Sequence, residues 1–146
     1  MVADIAVGAD GYWGDTCRTY VRGANQAVED IRARLVEIRS AAARALRPGA
    51  TGASVYGLMR EQILADWPDG EFPHHGGHAV GLSPFEDPHV IPAEERTLDT
   101  WMVLALEPGV CFPGRFGVRT ESLYLVTPDG GAELCEVMGR DAAPPN

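Results

Sequence analysis

Cysteine is scarce and poorly placed for a scaffold. Cys17, Cys111 and Cys135 are the only three in 146 residues, they are widely spaced, and none sits in a CxxC pair. Neither a disulfide framework nor a zinc knuckle is indicated, and a reducing, cytoplasmic setting is expected. Positive charge is short too. Twelve basic against 21 acidic residues leave a net charge of −9, so the clustered basic surface that nucleic acid requires is lacking and that partner is excluded. No apolar run approaches the roughly 20 residues of a membrane-spanning helix, and Met1 leads into a strand-like run rather than a signal-peptide pattern, so no membrane partner is expected. There is no internal repeat or low-complexity segment. The rest is ordinary for a globular chain: 45% hydrophobic and 23% charged residues, enough for one domain with a core. That domain is expected over residues 1–138, followed at 139–146 by a polar, proline-rich tail, GRDAAPPN, expected to be disordered.

The stretch Asp4 to Tyr20, DIAVGADGYWGDTCRTY, carries the first sign of a site. Asp10-Gly11 between runs of β-formers is a two-residue hairpin signal, and its preferred turn pairs Ala9 with Tyr12 and Ala6 with Asp15. Because side chains alternate along a strand, Asp4 shares a face with Ala6 and hence with Asp15. Two carboxylates so close are destabilising unless a cation lies between them, and a divalent metal is one remedy; two solvated aspartates on an exposed face are the bland alternative.

Farther along, Val28, Ile31, Leu35, Ile38, Ala42 and Leu46 recur at helical steps, with Glu29, Arg32, Arg39 and Arg44 off that stripe. The spacing predicts a helix from about Ala24 to Leu46, stopped at Arg47-Pro48-Gly49. A second helix, capped by Thr51 or Ser54, carries Val55, Leu58, Met59 and Ile63 and ends near Trp67. Both are read as structural. All four histidines fall in EFPHHGGHAVGLSPFEDPHVIP, a segment without helical period. His74, His75 and His78 flank Gly76-Gly77, where the backbone can run close to a site. Strands are expected over Met102–Leu106, Val118–Thr127 and Ala132–Val137. Glu107 ends the first of these and Glu121 lies inside the second, unusual places for unpaired carboxylates.

Asp4, Asp15, Glu107 and Glu121 with one histidine form a set that can hold two divalent cations, their four negative charges matching the four positive ones. One imidazole among many carboxylate oxygens suits Mn, Co, Fe or Zn. Two such ions about 3.5–4 Å apart would serve hydrolysis by activating a water and polarising a carbonyl.

Taken together, D-x(10)-D in a GY-containing hairpin, FPHHGGHAVGL, ALEPGV and GVRTE resemble the motifs of the pita-bread metallopeptidases, the family of aminopeptidase P, prolidase, methionine aminopeptidase and creatinase. The resemblance implies an α+β pita-bread fold, a curved, mostly antiparallel sheet with helices on its outer face, of which this chain is expected to be the later part. It implies that Asp4 chelates one metal, Asp15 and Glu121 bridge the pair, and His78 and Glu107 complete the other. It also implies that Glu107 is the general base and that His74 and Arg119 line the substrate side. The implied activity is a dinuclear metal-dependent hydrolase of the Xaa-Pro aminopeptidase or prolidase type, acting on a small peptide or amide. A homodimer, or association with a missing upstream portion, is the expected assembly. Three positions depart from the family pattern: Phe85 stands where a second histidine is usual, Cys111 where tyrosine is frequent, and Ser122 where an acidic residue commonly follows the last ligand. These leave open a creatinase-like non-peptidase hydrolase or lyase, or a catalytically silent binding domain. His89, four residues beyond Phe85, is an alternative imidazole if Glu86-Asp87-Pro88 turns back toward the metals.

Overall fold

The computed structural model describes residues 1–134; Cys135, the expected end of the last strand at Val137 and the tail at 139–146 lie outside the described residues. The chain opens with the hairpin β1 (Val2–Ala9) and β2 (Tyr12–Thr19). Its register pairs Ala9 with Tyr12 and Ala6 with Asp15, as the turn signal requires. Asp10 and Gly11 take positive φ of 51° and 86°, the mirror-image turn whose twist matches the strands and which aspartate and glycine tolerate best.

Helix α1 (Gln26–Ala43) buries Val28, Ile31, Leu35, Ile38 and Ala42 along the expected stripe. It is shorter than its periodicity. Asn25 caps the start by accepting from the Val28 N–H, and beyond Ala43 the chain tightens into Ala45→Ala42 and Leu46→Ala43 turns ahead of Pro48, with Leu46 still buried. Arg39 departs from the expectation of a solvated position: it is 5% exposed. Its guanidinium donates to the Tyr124 hydroxyl at 3.0 Å and the Thr120 hydroxyl at 2.6 Å, the satisfaction that a buried cation needs.

Helix α2 (Gly52–Asp66) starts with both predicted residues acting reciprocally. The Thr51 hydroxyl accepts from the Ser54 N–H and the Ser54 hydroxyl accepts from the Thr51 N–H, each at 3.2 Å. Thr51→Ala should lower stability by about 1 kcal/mol, read from the urea midpoint. Val55, Met59 and Ile63 are buried, but Leu58 is 42% exposed.

After the helices come β3 (Gly77–Ala79), β4 (Glu86–Val90), β5 (Val103–Leu106), β6 (Gly109–Phe112), β7 (Phe116–Arg119), β8 (Ser122–Thr127) and β9 (Gly130–Glu133). They form a five-stranded sheet ordered β4-β3-β5-β8-β9 and a separate β6-β7 ribbon, all antiparallel. The single strand expected over Val118–Thr127 is therefore two. The chain leaves β6's partner at Arg119 and joins β5's partner at Ser122, so Glu121 lies at the crossing between sheets rather than inside a strand. Gly77 is required by close approach, since a Cβ there would lie 1.9 Å from the Ala105 carbonyl oxygen across β3 and β5.

The main apolar core lies where α1 and α2 cover the strands, joining Leu35, Ile38, Val55 and Met59 to Leu104, Leu106 and Val126. Against this, β1 pairs only with β2 among the described residues, and Ile5, Val7 and Tyr12 on one face of the hairpin are exposed.

Candidate metal centre

The opposite face of the hairpin looks inward. A cavity of about 40 Å³ is lined by Asp4, Asp15, His75, His78, Phe85, Glu107, Arg119 and Glu121. All five residues expected as ligands are in that lining, and each arrives from a different place: β1, β2, β3, the residue after β5, and the crossing between β7 and β8. Glu121 is fixed by its neighbours, because its N–H donates to the Cys17 carbonyl at 3.2 Å. Arg18 also bonds the Cys17 and Glu121 carbonyls at 2.7 and 2.6 Å.

His78 defines the polarity of the site. Its Nδ1 is 3.1 Å from the Ala79 carbonyl oxygen, which can only accept, so Nδ1 carries the proton. Burial lowers the pKa and keeps the ring neutral. Its Nε2 lone pair then faces Asp15 Oδ2 at 3.7 Å and Glu107 Oε1 at 3.6 Å. Three acceptors thus converge with no donor between them. Asp15 Oδ1, Glu107 Oε1 and Glu121 Oε1 are all buried without a hydrogen-bond partner, a costly arrangement that a cation relieves. The donor atoms sort into two groups sharing Glu121: Asp15, His78 and Glu121, and Asp4, Cys17 and Glu121, each with ligand atoms within 4.8 Å of one another. The residues present fit divalent cations.

Crowding of like charges shifts the acids apart. Burial, then Glu107, Asp15 and Asp4, push Glu121 up to about 9, and burial with Asp4 raises Asp15. Burial alone would raise Glu107 as well, but contact with His75, helped by Arg119 and His78, brings it below its ordinary value. His75 is raised in turn, first by Glu107; its Nδ1 is 3.1 Å from Glu107 Oε1 but aimed off the line of a hydrogen bond. The Arg119 guanidinium is ion-paired to Asp4, stands 3.4 Å from Glu107 Oε2 and donates through Nε to Cys17 Sγ at 3.2 Å. Burial opposes its charge, yet Cys17, Glu107 and Asp4 outweigh that and hold its pKa high.

Of the three residues expected to be catalytic, Glu107 and Arg119 line the cavity and His74 does not. The His74 ring packs edge-on to Phe72 at 4.9 Å between centroids, and its Nδ1 bonds the His75 carbonyl at 2.7 Å. The cavity-lining neighbour is His75, which sequence reasoning placed in the histidine cluster without a role. Cys17 was missed altogether, although the hairpin register puts it directly opposite Asp4. Phe85 lines the cavity, its ring 4.3 Å from that of His78. His89 lies opposite His78 on β4, 6.4 Å between ring centroids, with Nε2 3.4 Å from Asp87; it is outside the lining. Cys111 sits on the β6-β7 ribbon, also outside it. No helix among the described residues is long and apolar enough to cross a membrane.

This arrangement of donors accompanies a match to metallopeptidase family M24 over residues 1–128. The chain belongs to that family. It is 36% identical over 126 residues to the probable dipeptidase PepE of Mycobacterium bovis, covering 85% of this chain and 33% of that protein. To the Xaa-Pro dipeptidase of Pyrococcus horikoshii it is 33% identical over 136 residues, 92% and 38% respectively. Among solved structures, the prolidase of Pyrococcus furiosus superposes with a TM-score of 0.85 at 31% identity, covering 94% of this chain and 41% of that one. The M24 chain thus has the pita-bread fold and spans about a third to two fifths of the length of these relatives.

Proposed function

We propose that this M24 chain carries the metal centre of a dinuclear hydrolase that cleaves Xaa-Pro dipeptides or closely similar small amides. The observation that supports it is a neutral His78 Nε2 facing the Asp15 and Glu107 carboxylates in a cavity where Asp15 Oδ1, Glu107 Oε1 and Glu121 Oε1 are buried without partners. In this reading Asp4 would hold one ion, Asp15 and Glu121 would be shared between the two, and His78 with Glu107 would complete the other, with Mn, Co, Zn or Fe compatible with the donor set. When bound, the ions activate water and polarise the scissile carbonyl. Glu107, held despite burial below its ordinary value by the neighbouring His75, would accept a proton at its carboxylate, and His75 beside it can receive or return that proton. His74 positions His75 through its carbonyl, and Arg119 orients Glu107 while offering its remaining N–H groups to the substrate. A second copy, or the remainder of a longer protein, covers the exposed Ile5, Val7 and Tyr12 face.

Phe85 favours a second reading, a creatinase-like enzyme or a silent binding domain, because it fills the edge of the cavity with a ring that cannot move a proton. Metal content after purification, measured beside turnover of an Xaa-Pro dipeptide, separates the readings. Metal with turnover supports the dipeptidase; metal without turnover supports the relative that acts on another substrate; neither supports the silent domain. Under the leading reading Phe85→His should raise turnover by up to about 10²-fold, the lower end of what a positioned imidazole contributes. An unchanged rate in a correctly folded variant would remove the imidazole argument.

A further inference from the structure

We propose that Cys17 is a sulfur ligand of the cation held by Asp4 and Glu121, giving that half of the centre a preference for Zn²⁺ or Co²⁺ over Mn²⁺. The inference rests on the metal centre proposed above and adds a donor of different chemistry to it.

A buried free cysteine is most often a small apolar filler. Cys17 is fully buried but belongs to neither apolar cluster of the protein. Its surroundings are polar. The antiparallel register sets it directly across from Asp4, on the face that carries Asp15. Its Sγ, one Asp4 oxygen and one Glu121 oxygen lie within 4.8 Å of one another. Glu121, 1% exposed, has an Oε1 with no partner. The backbone leaves little freedom for these groups to separate, since the Glu121 N–H bonds the Cys17 carbonyl and Arg18 clamps both carbonyls. Sγ already faces positive charge, the Arg119 Nε–H at 3.2 Å. A cation at about 2.0–2.3 Å from each donor would draw the three together and displace Arg119 from Asp4 and Cys17, leaving it with Glu107. On ligation the S–H bond breaks, the sulfur–metal bond forms, and the proton passes to solvent. Thiolate softness then discriminates against Mn²⁺, which prefers oxygen.

The test is cobalt titration of the chelator-treated full chain, followed by near-ultraviolet absorption. A sulfur-to-cobalt charge-transfer band should grow with bound metal, persist in the Cys111→Ser/Cys135→Ser double variant and vanish in Cys17→Ser. In Zn²⁺/Mn²⁺ competition, Cys17→Ser should lose about 10–100-fold of the preference for zinc. If Cys17→Ser fails to fold, the double variant decides, because Cys17 is then the only thiol present. Bound cobalt without the band, or a band that survives in folded Cys17→Ser, overturns the sulfur ligand and leaves the carboxylate–imidazole centre standing. No cobalt uptake by the wild-type chain overturns both.

Discussion

Chelator-treated protein should lose stability as the pH rises from about 5 to 9, and a divalent cation should restore it. Glu121 drives this. Its folded pKa is raised from 4.5 to about 9, mainly by burial and then by Glu107, Asp15 and Asp4. Below pH 4.5 the carboxyl is protonated in both folded and unfolded chains and costs nothing. Between the two values the unfolded chain ionises freely while the folded one resists, so folding weakens with rising pH, and above about 9 the loss is complete. At 1.36 kcal/mol per unit the full span is worth about 6 kcal/mol as an upper bound. Asp15 and His75, both raised, act in the same direction through their own ranges. Glu107, lowered, acts in the opposite sense, its stabilisation present above the ordinary carboxylate value and lost in acid. A cation binds the ionised carboxylates and reverses the loss, by about 2.7 kcal/mol when it is present at about 100 times its dissociation constant. Urea unfolding with and without metal across this pH range measures both effects. Glu121→Gln should flatten the slope and shrink the metal response; a pH-independent, metal-independent midpoint in the wild type would refute the crowded-carboxylate account.

Under the proposed dipeptidase reading, Glu107→Gln should abolish most hydrolysis while sparing the fold. Glutamine keeps the size of the side chain, so the unfolding midpoint should change little compared with the loss of rate. It cannot take up a proton, and a positioned base contributes about 10²–10⁴-fold, roughly 3–5 kcal/mol of barrier. The carboxylate also stands 3.6 Å from His78 Nε2 as a candidate ligand, so weakened metal binding should accompany the slower turnover. Initial rates on an Xaa-Pro dipeptide at saturating metal separate the two contributions. A variant that retains wild-type turnover would remove Glu107 from the chemistry and shift the base role to His75.

The elements that depend on neighbours in sequence were legible without a structure. Asp10-Gly11 selects its turn through backbone preferences of two adjacent residues, and that turn sets the parity of Asp4 and Asp15 for the whole hairpin. The α1 stripe and the reciprocal Thr51–Ser54 cap are likewise decided within one or two turns of helix. The M24 motifs carried the fold and the five candidate ligands because glycines and acids at fixed spacings are read as a string.

Interactions across the chain were not legible. Arg39 has the spacing of a solvated residue, and only the arrival of Tyr124 and Thr120 over it makes burial affordable. Glu121 reads as part of one strand because Val118–Thr127 is rich in β-formers and has no glycine or proline to break it, whereas the change of partner from β6 to β5 depends on segments far upstream. His74 and His75 are adjacent in sequence and equal in chemistry; packing against Phe72 takes His74 away from the cavity and gives His75 the contact with Glu107. By itself the sequence determined the family and the hairpin, and it named five side chains as candidates for holding metal. Tertiary structure alone decided which of those groups are buried together without partners, because desolvation and charge crowding arise only where β1, β2, β3 and the segments after β5 and β7 meet.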